Sequence, residues 1–524
     1  MDLQRMAIGR RWEIVLLTII AVQLVLLIVS LPGQRVQGDE AAFAEFAYFQ
    51  AKDGYIHSEL FRGLLHYEER VLLYHKLFQW LGAGMVAVFG YGIWPLRALS
   101  LAAFAAIVLI LYRHTRGPGH DEWRIEFLAT VAFLLLAPLT FKFAKLYRPE
   151  MIQAALGLGS YAALNTALHR PSGRWTALAG VLAGLAMLTH LNGAIFVFAG
   201  GVLLLSRRRW QAAAVFAVLA AVVFSTFFIE AIGRFNLLWQ QFASDPTFGE
   251  HERTILGTLL KILEEHKRLF RKPEIIFSTV LFFVAAAANI WREGWRPRRD
   301  FYVYTGSCMV CLAAIAPAKT TPYAVLLFPL FALEIGHLAA AVRRNQTGSA
   351  PPLRYAVTAA VIAFAGHSLA ADTINAVVDK QDWVADNRQF ASYLNPGTAV
   401  LAPLDFVLNE LPNFRIAGRR LAFWRIHDWG GKPYTFENLA AYADSAGITA
   451  IILSRQDRDR MALAGAAPGD TLSGFRVVEH RRDIGRILLV KQSKVHGAGP
   501  VPPGSITGRT RRSPRSPSPP PGSW

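Results

Sequence analysis

Hydrophobic residues in this chain come in long blocks rather than in alternating or helical stripes. An apolar segment from Ile14 to Leu31 is long enough to cross ~30 Å of hydrocarbon as a helix. Others run from Trp94 to Tyr112, Ile125 to Leu139, Met151 to Leu168, Ala212 to Ile232, Ile275 to Trp291, Phe301 to Ala316, Tyr323 to Val342 and Tyr355 to Ala371. The stretch from Trp175 to Leu205 is too long for one upright helix and holds His190, Asn192 and Gly193 at its middle, which predicts two short helices and a tight turn. With that hairpin, the clusters Arg113/Arg116/Arg124, Arg170/Arg174, Arg207/Arg208/Arg209, Arg292/Arg296/Arg298/Arg299 and Arg343/Arg344/Arg354 share one side with Arg5, Arg10 and Arg11. A single helix would move the last three clusters across. Basic residues favour the cytoplasmic face, so the pattern predicts about eleven transmembrane helices, the N-terminus inside and the C-terminus outside.

Two segments break the pattern. Leu77 to Phe89 is apolar but only about a dozen residues long, which suits an interfacial or re-entrant helix. Aromatics mixed with acids and histidines before it, Phe43 to Tyr74, predict juxtamembrane helices on the outer leaflet. From Asp372 onward the apolar runs become short and strand-like ("TAVLAP", "ITAIILS", "GRILLVKQS"), with a helical stretch around Asn438 to Ala446. The expected organisation is a membrane domain over 1–371, with outer loops at 39–93 and 233–273, a small extracytoplasmic α/β domain over 372–494, and a disordered Pro/Ser/Arg-rich tail over 495–524. The fold class is therefore mainly α and polytopic.

Composition sharpens this. With 53% hydrophobic and 18% charged residues and a mean hydropathy of +0.30, the chain holds more apolar surface than one soluble core needs. A net charge of +18 would suit nucleic acid, but the arginines sit in short clusters between apolar blocks, where membrane topology explains them; no nucleic-acid partner is expected. Cys308 and Cys311 lie one turn apart in an apolar segment and read as packing. The first segment has no clear cleavage site and should remain as a helix.

Asp39 and Glu40 stand side by side just beyond the first segment, on the predicted outer side. The same side collects Arg70, His75 and Lys76, then Lys145, Arg148 and Glu150, then His190 and Asn192, and Lys319 with Tyr323. Ionisable groups at membrane depth line cavities or pair with one another. A carboxylate among cations is what a site needs to deprotonate an acceptor hydroxyl while neutralising a departing phosphate. His57, His66 and His75 with Asp39 are the one candidate set for a divalent metal ion, though their spacing fixes no ligand geometry. Arg97 reads as a residue that orients its helix. A transporter or flippase would place ionisable groups at mid-membrane in paired halves, whereas here they gather at one rim without an internal repeat. A non-catalytic envelope assembly protein is the other class the pattern leaves open.

At these residues the chain resembles the GT-C superfamily of membrane glycosyltransferases, in the branch of protein O-mannosyltransferases and lipid A aminoarabinose (ArnT-like) transferases. The resemblance rests on "GDEAAFA", "ERVLLYHKLFQWLGAGMVAVFG" with "IWPLRALS", "YRPEM", "GVLAGLAMLTHLNG" and "KTTPYAVLLFPLFAL". It implies a sugar donor carried on polyprenyl phosphate and an extracytoplasmic acceptor. Asp39 matches the family's loop-one acid, here a general base with Glu40 beside it. Arg70 stands in "RVLLY" where related chains often show Pro-Pro-Leu, and His190 where a lysine is common. Arg148, Arg70, Lys319 and Tyr323 are the implied phosphate contacts. Glu150, His190, Asn192, His75 and Lys76 are implied to support them or meet the acceptor. Single displacement with inversion follows from that arrangement.

Overall fold

A computed structural model describes residues 2–116, 122–170, 172–244, 255–316, 319–344, 351–377 and 382–492. The tail expected over 495–524 and part of the outer loop expected over 233–273 lie outside the described residues. The membrane part begins with α1 (Asp2–Ser30), the helices α2 (Gly38–Asp53) and α3 (Lys76–Phe89), then α4 (Ile93–Thr115), α5 (Trp123–Leu136) and the short α6 (Pro138–Phe143). It continues through α7 (Pro149–His169), α8 (Gly173–Thr189), α9 (Ala194–Ser206), α10 (Trp210–Ser225), and the shorter helices α11 (Phe235–Ser244), α12 (Ile255–Leu263) and α13 (His266–Leu269). The last four membrane helices are α14 (Pro273–Glu293), α15 (Arg299–Ile315), α16 (Phe328–Arg344) and α17 (Pro351–Val377).

Eleven of these helices, α1, α4, α5, α7 to α10 and α14 to α17, fall on the eleven apolar segments. Among the described residues four stretches, Arg11–Ser30, Ile93–Thr115, Trp210–Ala231 and Pro273–Glu293, are long and apolar enough to cross a membrane by themselves. Prolines shorten others. Ala137 precedes Pro138 and is extended (φ −69°, ψ 108°), so α5 stops at Leu136 rather than Leu139, because a residue before proline resists the helical region. Likewise residues 321–326 form a tight 3-10 turn with Pro322 in its first turn, and the helix expected from Tyr323 starts at Phe328. The predicted hairpin is present: α8 and α9 flank a turn at Leu191–Gly193, where His190 Nδ1 accepts from the Asn192 amide at 3.0 Å. Small residues let helices close up. A Cβ on Gly180 or Gly184 would sit 2.6 or 2.7 Å from the backbone oxygens of Phe216 or Ala220 on α10.

The arginine clusters meet at one end of the bundle. Arg207 forks onto Asp300 at 2.6 and 2.8 Å, Arg209 caps the α7 carbonyls of Ala167 and Leu168, and Arg343 pairs with Glu122 at 2.8 Å. Asp39, His190 and Lys319 lie at the ends of the same helices remote from these clusters.

After α18 (Trp383–Ala391), a six-stranded mixed sheet forms in the order β2-β1-β3-β6-β5-β4, from β1 (Ala399–Ala402), β2 (Arg415–Gly418), β3 (Ala450–Leu453), β4 (Thr471–Leu472), β5 (Phe475–Arg481) and β6 (Arg486–Lys491). The crossover from β1 to its parallel partner β2 carries α19 (Leu404–Glu410); α20 (Arg419–Phe423) and α21 (Phe436–Ser445) precede β3. This unit is fused to α2 and the turns that follow it. Ala41 and Leu60 share a core with Phe390, Val400, Phe406 and Val407, Gly418 donates its amide to Leu60 O at 3.2 Å, and Arg425 donates to Gly63 O at 2.7 Å.

Those turns hang on one buried acid. Glu45 on α2 accepts from the amides of Glu59 and Leu60 at 2.8 and 3.0 Å and from Ser58 Oγ at 2.5 Å. Burial pushes its carboxyl up to about 8 against the lowering pull of those bonds. The fold therefore favours the protonated acid, and its contribution is full below the unfolded value near 4.5 and lost as pH rises through about 8. Glu45→Gln should melt close to the unmodified protein at acidic pH and increasingly above it as pH approaches 8. Glu45→Ala should melt lower throughout, read by thermal unfolding in lipid discs.

Candidate active site

Asp39 lies in the first turn of α2, and Arg148 is the residue before α7, extended at φ −144°, ψ 150° with Pro149 behind it. Proline at the first helical position has φ preset and needs no hydrogen-bond partner, so "RPE" fixes where α7 begins. Arg148 Nη1 donates to Asp39 Oδ2 at 2.6 Å, Nη2 to Glu150 Oε1 at 2.7 Å, and Nε spans both Glu150 oxygens at 3.1 and 3.2 Å. Burial works against this cation, but the carboxylates of Glu150 and then Asp39 overcome it and its pKa is raised. The two acids differ in access: the Glu150 side chain has no exposed surface, whereas that of Asp39 is 51% exposed.

Glu40 points the other way, as adjacent helix positions do. It is fully buried; Arg97 Nε and Nη2 donate to its two oxygens at 2.7 and 2.9 Å, and the amides of Tyr147 and Gln37 add bonds of 3.0 and 3.3 Å. Expected beside Asp39 in chemistry, Glu40 instead braces α2 against α4 and against the segment that leads into Arg148.

His75 and His190 stack with ring centroids 4.3 Å apart, and Tyr323 meets His190 edge-on at 5.4 Å. Burial pushes His190 down to about 4, with Glu150 opposing and Arg148 adding to the shift; burial, His190 and Arg148 also lower His75. Both imidazoles are neutral at pH 7. Asn192 is buried in the same turn, while Lys76 is turned aside into an ion pair with Glu230 at 2.6 Å. The Arg70 guanidinium lies over the Tyr55 ring at 5.0 Å.

Lys319 Nζ donates to Glu265 at 2.9 Å and to Ala313 O at 2.7 Å; burial lowers its pKa and Glu265 opposes the shift. Glu265 also pairs with the buried Arg268 at 2.6 Å, and the Arg268 guanidinium lies 5.8 Å from the Tyr323 ring. Tyr323 therefore joins the Arg148 side, through His190, to a second cation that the sequence reading did not single out. The charge run "EEHKR" with Glu265 and Arg268 one helical turn apart was the available signal. Lys145 is buried, bonded to Ser30 Oγ at 2.7 Å and set over Phe141 at 4.1 Å; burial lowers its amine to about 7.

On its open side Asp39 faces a small cleft lined by Gly38, Ala42, Leu60 and Phe61, and, from the C-terminal unit, Leu404, Gly418 and Arg420. Among the described residues no three His, Cys, Asp or Glu side chains gather as a metal site. His57 pairs with Asp53, His66 with Glu69, and His75 with His190. The site thus offers a half-exposed carboxylate, a fixed guanidinium and two neutral imidazoles.

Residues 76–230 match the family described as dolichyl-phosphate-mannose-protein mannosyltransferase. The fold is similar to that of ArnT from Cupriavidus metallidurans in the apo state, with a TM-score of 0.61 at 15% identity, covering 92% of this chain and 99% of that one. It is similar as well to the same ArnT bound to undecaprenyl phosphate, at 0.59 and 16% identity over 92% and 99% of the two chains. The Archaeoglobus fulgidus oligosaccharyltransferase tethered to an acceptor peptide gives 0.51 at 11% identity, over 86% of this chain and 70% of that one. No curated protein sequence matches. The chain thus has the fold of the ArnT structures, and residues 76–230 within it resemble the mannosyltransferase family.

Proposed function

We propose that this protein transfers a sugar from a polyprenyl-phosphate carrier to an acceptor outside the cytoplasm, protein, lipid or envelope glycan, with inversion at the anomeric carbon. The observation that carries the reading is the Arg148 fork: one arm is locked by buried Glu150, and the other is held by an acid that also opens onto a cleft. The undecaprenyl phosphate held by the similar ArnT supports a lipid phosphate as the donor. The orientation that follows puts the N-terminus and the arginine clusters in the cytoplasm of a bacterial inner membrane, and the site and C-terminal unit outside. The boundaries 1–371 and 372–494 remain the proposed division of membrane and outer domains.

At rest Arg148 neutralises Asp39. A donor phosphate reaching the free side of the guanidinium competes for Nη1 and releases Asp39 toward the cleft. The acceptor hydroxyl or amine gives its proton to Asp39 Oδ2, and the freed lone pair forms a bond to the anomeric carbon. The bond from that carbon to the phosphate oxygen breaks, its electron pair leaves with the phosphate, and Arg148 holds the new charge. Glu150 keeps the guanidinium charged and in plane, a bidentate geometry that lysine does not reproduce. Arg70, Tyr323 and Lys319 extend the phosphate-binding side, Lys319 once it exchanges Glu265 for phosphate. His75, His190 and Asn192 wall the chamber with neutral groups, and Lys76 lies behind them. Positioning and electrostatics supply most of the rate, since phosphate leaves with little acid assistance.

Asp39→Asn should lower single-turnover transfer by about 10²- to 10⁴-fold, the usual share of a general base, while retaining donor-lipid binding. Transfer within a few-fold of the unmodified protein would remove Asp39 from the mechanism. Arg148→Lys should weaken donor binding by about tenfold or more because the fork is lost. Arg420→Ala should raise the KM of the acceptor and leave that of the donor unchanged; the opposite pattern would place the acceptor elsewhere than this cleft.

A further inference from the structure

One buried side chain joins the two outer loops. Gln241, on α11, has no exposed surface, and three of its side-chain hydrogen bonds go to backbone of the first loop. Its Oε1 accepts from the Leu72 amide at 2.8 Å, and its Nε2 donates to Arg70 O at 2.7 Å and Leu65 O at 3.2 Å. A side-chain amide in this position substitutes for a strand edge, satisfying a donor and two acceptors that the loop does not satisfy itself. The loop needs holding. Leu65 and His66 both have left-handed backbone, φ 49° and 59°, which residues with a Cβ adopt only when their surroundings impose it. The clamped segment presents Arg70 and runs directly into His75.

Another face of α11 carries exposed aromatic rings. Phe235 and Trp239 are 54% and 65% exposed and fall at i and i+4, on one stripe of the helix, while Gln241 lies on a different face. The helix follows α10, a membrane-crossing stretch, by a short turn, so this aromatic stripe meets the boundary of the outer leaflet, where such rings settle.

We propose that α11 is a lipid-seated latch: its aromatic stripe anchors in the outer leaflet while Gln241 holds residues 65–72 in the register that offers Arg70 to the donor phosphate. Gln241 is a positioning residue here, and the proposal rests on the donor reading given above. Glutamate at this position still accepts from Leu72 but cannot donate to Arg70 O or Leu65 O, so it breaks the clamp with almost no change of size.

The test uses the full chain in lipid discs, with Gln241→Glu, Gln241→Ala, the exposed neighbour Gln240→Ala as control, and Trp239→Asp for the stripe. Two readouts are taken: hydrogen exchange at the Leu72 amide, and steady-state transfer. Gln241→Ala should speed Leu72 exchange, and both Gln241 variants should raise the KM of the donor about tenfold, with kcat and the acceptor KM nearly unchanged and Gln240→Ala silent. Unchanged Leu72 exchange in Gln241→Ala would overturn the latch. Faster exchange with an unaltered donor KM would overturn the positioning of Arg70. Trp239→Asp should also speed Leu72 exchange, and failure to do so would overturn the lipid seat. If the unmodified chain transfers nothing, the functional reading falls, and the exchange measurements still decide the latch.

Discussion

The ion pair between Glu40 and Arg97 sets the geometry of everything at the Asp39 end of the bundle. Neither side chain retains more than 2% exposure, and removing one partner from such a pair leaves an uncompensated buried charge at a cost of about 3–5 kcal/mol. Because the same carboxylate also accepts from Tyr147 and Gln37, it fixes the start of α2, the face of α4 and the backbone just before Arg148 at once. Asp39 precedes Glu40 by one position, about 100° around the helix, so orienting Glu40 inward turns Asp39 toward Arg148. The contact at the centre of the proposed chemistry thus follows from a contact with no chemistry of its own.

This end of the bundle shows a graded pattern of access. Glu40, Glu45, Glu150 and Arg268 are buried and committed to partners, which rigidifies the backbone around them. Asp39 alone in this set stands half in solvent, paired with a cation that an anion can claim. Burial disfavours the charged forms of His75 and His190, which keeps added positive charge away from Arg148. The C-terminal unit closes the cleft through Leu404, Gly418 and Arg420, while its sheet is pinned to the loop by Leu60 and Gly63. That unit is therefore part of the wall around Asp39 as well as an appendage on the membrane domain.

How much was legible beforehand follows the range of each interaction. Length of apolar blocks, Pro138 and the break at His190 are local signals, and lipid reads them residue by residue because a spanning backbone has to satisfy its own hydrogen bonds. The strands at "TAVLAP", "ITAIILS" and "GRILLVKQS" were visible since β1 and β3 are wholly buried and β6 nearly so; β2, β4 and β5 were not, being short or mixed in burial. The acidic loop and "RPE" were visible as residue types that are expensive near a membrane.

By itself, the sequence determined the eleven apolar helices, the clustering of basic residues at one end, the small sheet unit and the rim where ionisable groups collect. Only the tertiary structure decided which of those groups meet. Glu40 finds Arg97 across 57 positions, Leu72 finds Gln241 across 169, and Arg420 reaches the Asp39 cleft from a separate layer. The physical reason is that lipid imposes a local requirement that each segment answers alone, whereas a buried charge or amide takes its partner from whichever helix packs beside it, and that choice is made by the whole bundle.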